Sequence, residues 1–358
     1  MINTLGIKKS PKDTKVVVAM SGGVDSSVVA GLMKEQGYNV TGITLKLYDD
    51  SKTSVSGRQC CAGRDIIDAK RVSDTLNIEH KILYYQKKFK TEVIDSFINS
   101  YVAGETPIPC VQCNQTVKFR DLFKFSKELK ADALITGHYV LRHENNGSGR
   151  MYRAEDKERD QSYFLFSTTQ SQLDYLRFPL GLINKSETRN IANKLNLNVA
   201  TKPDSQDICF VPNGDYASVI KKFRPESFKK GKIVDMSGQQ IGEHEGIINY
   251  TIGQRKGLGG GGGFGNNNDA WYVSEKDLSS NTLIISQGSN HPSLYHKNLS
   301  ADSLHWISGC APSEDDNLSA KIRYRQKNQA CSITSLNGES CDVKFLVPQF
   351  AVTPGQSI

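Results

Sequence analysis

The sequence predicts an α/β protein with three parts: an N-terminal domain on a parallel sheet, a small central domain and a C-terminal β-barrel. Three observations predict it. Apolar strand and amphipathic helix patterns alternate over the first 212 residues. A glycine turn, SGGVDSS, lies between the first strand and the first helix. Beyond residue 212 the rhythm changes to short strands joined by Gly, Asn and Ser. Strand–helix alternation implies a parallel sheet with helices on both faces, and the second pattern implies a β-rich region. The expected domains are 1–212, 213–280 and 281–358.

KVVVAM (15–20) is an apolar strand followed by SGGVDSS and the helix VVAGLMKEQ, with Gly37 as its stop. NVTGITLKLY is the second strand, RDIIDAKRVSDTLN an amphipathic helix and EHKILYY the third strand. TEVIDSFINSYV and TVKFRDLFKFSKELK read as helices, ADALITGHY as a fourth strand, and KSETRNIANKLN (185–196) as a further helix. GKIVDM, AWYVSEKD, TLIISQG, KIRYRQ, ACSITSL and CDVKFLV read as short, often alternating strands. GLGGGGGFGNNND (257–269) reads as a loop.

Lys and Arg total 45 against 38 Asp and Glu, a formal charge of +7 that fits a nucleic-acid partner without requiring one. No apolar run approaches the roughly 20 residues of a membrane span, and MINTLGIKKSPKDTK has no signal-peptide core. A cytoplasmic protein with no membrane partner is expected. Eight cysteines in 358 residues are too sparse for a disulfide framework.

In SGGVDSS, adjacent glycines let the backbone turn sharply and approach a ligand. Amides of Gly22, Gly23 and the first helical turn would converge on an anion, helped by the helix dipole. Ser21, Ser26 and Ser27 are expected to add hydroxyl donors, and Asp25 to hold Mg²⁺ beside a pyrophosphate. The lysine of a Walker A loop is absent. The motif resembles the PP-loop of N-type ATP pyrophosphatases, which cleave ATP between the α- and β-phosphates and adenylate a substrate oxygen. The N-terminal domain is therefore expected to be of the adenine nucleotide alpha-hydrolase-like kind.

Cys110 and Cys113 in GETPIPCVQCNQTVKF form a C-x-x-C pair, open by itself to redox, zinc or iron–sulfur use. Cys209 lies in the loop-like TKPDSQDICFVPNG. No second C-x-x-C is present to complete a zinc set. Cys60, Cys61, Cys310, Cys331 and Cys341 read as structural.

Eight motifs together resemble the tRNA-specific 2-thiouridylase family: AMSGGVDSSV (19–28), GETPIPCVQCNQTVKF (104–119), ALITGHY (133–139), RDQSYFLF (159–166), KPDSQDICF (202–210), YTIGQRKGLG (250–259), KIRYRQ (321–326) and AVTPGQS (351–357). They span nearly the whole chain in family order. The resemblance implies ATP-dependent 2-thiolation of the wobble uridine, U34, of tRNA, yielding 2-thiouridine, AMP and pyrophosphate. It implies a persulfide on Cys209, loaded by a sulfur donor such as a cysteine desulfurase or a sulfur-relay carrier, and Cys113 as the second catalytic cysteine, releasing that sulfur by thiol exchange. Both thiols are expected to need lowered pKa values; Cys113, directly before the TVKFRDLFKF helix and one turn from Lys118, has a plausible source.

The resemblance further implies ATP contacts at Ala19, Met20, Ser21, Gly22, Gly23, Val24, Asp25, Ser26, Ser27, Leu45 and Gly137. For tRNA it implies His138, Arg159, Asp160, Gln161, Arg323, Tyr324, Arg325 and Gln356, with an extruded base. Two departures stand out. Many family members have Asp where this chain has Cys110, so Cys110 is a candidate third thiol ligand, and with Cys113 and Cys209 it offers a [4Fe–4S] cluster as the alternative to the persulfide relay. The family also continues past AVTPGQS into another strand. The competing readings are another PP-loop ligase without paired cysteines, and a nucleotide-gated RNA-binding module without chemistry.

Overall fold

The structure, a computed structural model, describes residues 2–48, 61–204, 208–211, 214–258, 269–313 and 316–358, with the side chains of residues 61 and 62 also left out. Cys60, the Cys61 side chain and most of the 257–269 loop therefore lie outside the described residues. The chain forms two units. One comprises Met1–Ile94, Pro109–Pro212 and Trp306–Cys310; the other comprises Asp95–Ile108, Asn213–His305 and Ala311–Ile358.

The first unit is built on five strands. These are β1 (Lys15–Ala19), β2 (Asn39–Lys46), β3 (Glu79–Tyr84), β4 (Ala133–Ile135) and, after a hairpin of β5 (Val140–Asn145) and β6 (Ser148–Arg153), the two-residue β7 (Leu176–Arg177). They lie in the order β3-β2-β1-β4-β7, parallel throughout. Strand β1 shows why the sheet is covered on both sides. Its period-two alternation sends Val16 and Val18 into one core with Val28, Val29 and Met33 of helix α1 (Val24–Glu35) and Ala69 and Val72 of helix α2 (Cys61–Leu76). Val17 enters the other core with Phe119, Leu122, Leu134 and Leu173. The chain goes from β1 to β2 on one side, and β4 then pairs on the other. Such a reversal opens a crevice at the carboxyl ends of the two central strands, where ligands of open α/β sheets bind.

The β5–β6 hairpin turns through Asn146 and Gly147, both left-handed at φ 50° and 80°. That is the Asn-Gly signature of a two-residue hairpin turn. The helix expected to start after Cys113 starts earlier: Pro109–Cys113 is helical and runs directly into a π-helical Asn114–Leu122 and then Phe123–Glu128. Pro109 sits at the first helical position, where proline's missing N–H costs nothing.

The second unit has two four-stranded sheets. Strands β8 (Gly231–Val234), β9 (Gln240–His244), β10 (Trp271–Asp277) and β11 (Thr282–Gln287) lie in the order β10-β11-β8-β9. Strands β12 (Tyr295–Ala301), β13 (Leu318–Ala320), β14 (Gln329–Asn337) and β15 (Ser340–Phe350) lie in the order β12-β15-β14-β13, antiparallel throughout. The second sheet buries alternate residues of β15, Cys341, Val343 and Phe345. KIRYRQ, expected as a strand, is a turn: Gln326 N donates to Arg323 O at 3.1 Å and Ile322 N to Gln326 Oε1 at 3.1 Å. Residues 95–108 belong to this unit: Tyr101 stacks on Tyr216 at 4.8 Å between ring centroids, and Thr106 N donates to Pro354 O at 2.8 Å.

Candidate active site

Gly22 turns the chain at φ +76°, and a Cβ there would lie 2.1 Å from Asp65 O of α2. Only glycine fits both demands. Gly23 is the N-cap of α1 and no side chain caps that helix. Its first-turn amides are therefore left for an anion, at a terminus whose dipole favours negative charge. Ser27 Oγ donates to Gly23 O at 2.8 Å and Ser26 Oγ to the same oxygen at 3.3 Å, so these buried hydroxyls brace the turn itself. Ser21 is exposed. Val24 and Met20 are buried core residues, while Ala19 and Leu45 are part-exposed on β1 and β2. Gly137 ends β4 against the same turn: a Cβ there would meet Ser26 N at 2.8 Å and Asp25 C at 3.0 Å. The reversal point of the sheet thus joins the two glycine positions in one crevice.

A web of charges fastens this turn. Asp25 Oδ1 accepts from Lys185 Nζ at 2.6 Å and from Tyr139 Oη at 2.8 Å. Burial and the nearby Asp25 raise the Tyr139 pKa, keeping its hydroxyl a donor. Lys185 also pairs with Asp204 Oδ1 at 2.8 Å, and Asp204 takes Arg189 at 2.8 Å and Arg159 at 3.0 Å. Burial alone would raise the Asp204 pKa, but these cations outweigh it and hold the carboxyl below its usual range. Lys202 Nζ donates to Gly22 O at 2.9 Å, Asp65 at 2.7 Å and Asp68 at 2.6 Å. Sequence reading missed Lys185, Lys202 and Asp204. The signal was present in KSETR and KPDSQD, but charges on a helix start or in a loop look solvated until the fold turns them inward.

The thiols do not match the expectation of lowered pKa values. Cys113 is buried and lies inside a continuous helical run, ending Pro109–Cys113 and leading straight into the π-helical Asn114–Leu122, so it does not sit at a free helix N-terminus. Burial raises its thiol pKa, with only Lys118 opposing. Cys209 is open to solvent, yet protein crowds it closely enough that desolvation, and then the neighbouring Cys113 and Cys110, push its thiol up to about 12. None of the three is in a disulfide, and Cys113 and Cys110 both influence Cys209. Lys118 is the cation acting on both Cys113 and Cys209. It follows Cys113 by five residues, the hydrogen-bond period of the π-helical stretch it occupies. The Cys209 backbone is held on its far side by Tyr48 Oη, which donates to its carbonyl at 3.1 Å, and by Phe210, buried against Phe89 at 5.7 Å.

His138 follows Gly137, with its Nδ1 2.9 Å from Thr136 Oγ1 and its ring 5.8 Å from Phe119. Burial, aided by Lys118, lowers its pKa to about 3, so it is neutral. Arg159 is paired with Asp204. Asp160 is turned inward, accepting from Ala154 N at 3.0 Å and Ser162 Oγ at 2.7 Å. Gln161 Oε1 accepts from Tyr139 N at 3.0 Å.

In the second unit, Arg323 donates to Ala351 O at 3.1 Å and to Thr353 Oγ1. Tyr324 is part-exposed, Arg325 is exposed, and Gln356 Nε2 donates to Thr106 O.

Among the described residues no three His, Cys, Asp or Glu side chains are grouped to hold a metal ion. Cys110, Cys113 and Cys209 therefore do not form a cluster cradle, and no chemistry is routed through one. Mg²⁺ beside a triphosphate needs only one or two carboxylates, and both hydrogen bonds to Asp25 land on Oδ1.

Three family models match in chain order: a tRNA methyl transferase HUP domain over residues 14–213, a tRNA methyl transferase PRC-barrel domain over 217–287, and an aminomethyltransferase β-barrel domain over 296–358. The tRNA-specific 2-thiouridylase MnmA of Rickettsia bellii is 48% identical over 352 residues, covering 98% of this chain and 94% of its own. Its namesake from Methylorubrum extorquens is 47% identical over 360 residues, covering 99% and 91%. On these relatives and the three matched domains, the chain belongs to the tRNA-specific 2-thiouridylase family.

Proposed function

We propose that this enzyme thiolates C2 of the wobble uridine, U34, of tRNA at the expense of ATP. The observation that carries the reading is an uncapped helix N-terminus at the sheet's reversal point, in the same unit as a thiol pair served by one lysine. The C2 oxygen of uracil is a poor leaving group. Its attack on the α-phosphorus of ATP expels pyrophosphate and turns that oxygen into part of AMP. Turn amides and Asp25-held Mg²⁺ would take the phosphate charge. Residues 19–27, Leu45 and Gly137 would line the nucleotide.

The terminal sulfur of a Cys209 persulfide then attacks C2 and AMP departs with the oxygen. The Cys113 thiolate attacks Cys209 Sγ, the sulfur–sulfur bond breaks, and its electron pair goes to the sulfur on C2 as 2-thiouridine. The Cys113–Cys209 disulfide left behind needs a dithiol reductant before the next cycle. A cysteine desulfurase or sulfur carrier would load Cys209, in the cytoplasm; no helix of the described residues is long and apolar enough to cross a membrane. His138, Arg159, Arg325 and Tyr324 are offered to the tRNA, as phosphate contacts and a stacking face.

The domain descriptions speak of methyl transfer, but a thiol pair in the same unit as a PP-loop turn suits sulfur. The test is direct. With tRNA, ATP, Mg²⁺, a cysteine desulfurase with cysteine to load the persulfide and a dithiol reductant, digested tRNA should contain 2-thiouridine by mass, and the Cys113→Ala variant should yield none. Unchanged product from Cys209→Ser would overturn the reading.

A further inference from the structure

The segment that carries Cys209 is tied to the phosphate turn by two residues for which the reaction chemistry has no direct use. Lys202 reaches the turn at Gly22, donating to Gly22 O at 2.9 Å while gripping Asp65 and Asp68 of α2 at 2.7 and 2.6 Å. Asp204 reaches it at Asp25 through Lys185, whose ammonium is shared between Asp204 at 2.8 Å and Asp25 at 2.6 Å. Arg189 fixes the stretch between them, with Nη1 donating to Ala200 O at 2.8 Å and Lys202 O at 3.1 Å and Nη2 to Asp204. Five residues further on stands Cys209.

These are short, charge-assisted bonds in part-buried surroundings, where such bonds are strong. The atoms they hold, Gly22 O and Asp25 Oδ1, belong to the turn that would change its surroundings when a triphosphate arrives. A cation-bound phosphate chain drawing on Asp25 competes directly with Lys185, and Lys185 released from Asp25 pairs wholly with Asp204. The two attachments make the segment's position depend on both Gly22 and Asp25.

We propose that Lys202 and Asp204 are positioning residues that fasten to the phosphate turn at two points, so that nucleotide binding there and the presentation of Cys209 are one linked event. The inference rests on the reading of Cys209 as the sulfur-bearing thiol and of the turn as the ATP site. Linkage is reciprocal: if bound nucleotide alters Cys209, the state of Cys209 alters nucleotide affinity by the same factor.

The experiment uses the full chain without tRNA. Mg²⁺ and α,β-methylene-ATP are added, and the iodoacetamide alkylation rate of Cys209 is followed by peptide mass with Cys113 as internal reference. In the wild type the analogue should change the Cys209 rate by about fivefold or more. Lys202→Met and Asp204→Asn should still bind the analogue but reduce that change to under about twofold. Asp68→Asn, which frees one arm of Lys202 and leaves the segment's own sequence intact, should weaken the response too and serves if either variant fails to fold. A merely structural clasp would lower thermal stability and leave the response at Cys209 as large as in the wild type, overturning the proposal. A bound analogue without any change at Cys209 in the wild type would overturn it alone; failure of the wild type to bind the analogue would remove the ATP reading as well.

Discussion

Gly137 stands so close to Ser26 that a Cβ on it would come within 2.8 Å of the Ser26 amide nitrogen. The end of β4 and the first turn of α1 are in direct backbone apposition, and what lies nearest is backbone, which cannot swing aside as a side chain would. Gly137→Ala must therefore push the turn out of position. An overpacked, well-ordered site of this kind costs about 1–3 kcal/mol, so ATP KM is expected to rise about tenfold or more while tRNA affinity holds. Pyrophosphate-release kinetics with the two substrates varied separately will check this, and unchanged ATP KM would contradict it.

The pH dependence of Cys209 follows from its surroundings. The charged groups acting on it are Cys113, Cys110 and Lys118, and burial dominates them, giving a pKa of about 12. The thiolate is the reactive form, so a raised pKa means little of it at neutral pH. At pH 8 about one part in ten thousand is thiolate, on the order of a thousandfold less than for an ordinary cysteine. Alkylation of Cys209 in the free enzyme should climb about tenfold per pH unit from 7 to 10. A plateau below pH 9 would show the thiol to be far more acidic than its setting implies.

Lys118 opposes burial at both Cys113 and Cys209. A unit charge a few ångströms away in a wet site is worth about 1 kcal/mol. Lys118→Met should thus slow alkylation of both thiols about fivefold at fixed pH, with Lys118→Arg restoring most of the rate. High salt should blunt the difference. Identical rates in the Met and Arg variants would assign the residue to packing instead.

Two arginines of one turn are expected to part company. Arg323 satisfies the Ala351 carbonyl and Thr353 hydroxyl inside the second unit, so Arg323→Ala strands part-buried acceptors and should destabilise that unit by about 1–3 kcal/mol. Arg325 is exposed. Arg325→Ala should leave thermal unfolding unchanged, weaken tRNA binding, and flatten its salt dependence by about one phosphate contact. Equal effects on stability would refute the division.

What the sequence made legible was whatever depended on local pattern. KVVVAM followed by SGGVDSS fixed strand, turn and helix because each step has its own local cause: apolar alternation, glycine conformations, a helix start. Asn146-Gly147 carried an equally local signal and was passed over for want of flanking apolar alternation in a hairpin with polar ends. KIRYRQ alternates like a strand, but the guanidinium of Arg323 finds its acceptors 28 residues on in sequence, at Ala351, and the backbone turns to deliver it. Cys113 reads in sequence as lying directly before the TVKFRDLFKF helix; the helical run begins earlier, at Pro109, where proline's missing N–H costs nothing. Lys202 and Asp204 were visible only as charges in a loop, since their partners at Gly22, Asp65 and Lys185 come from elsewhere in the chain.

The assignment of residues 95–108 to the second unit has a consequence for how the polypeptide is born. Thr106 is bonded to Pro354 and to Gln356, some 250 positions later in translation. At roughly 5–20 residues per second, the ribosome needs on the order of ten seconds or more to supply those partners. Through that interval the stretch just upstream of Cys110 emerges with Thr106 lacking those partners, and until Tyr216 follows Tyr101 lacks its stacking partner as well. A nascent chain arrested at residue 212 should accordingly be cut by protease within 95–108, and the released full-length protein should resist.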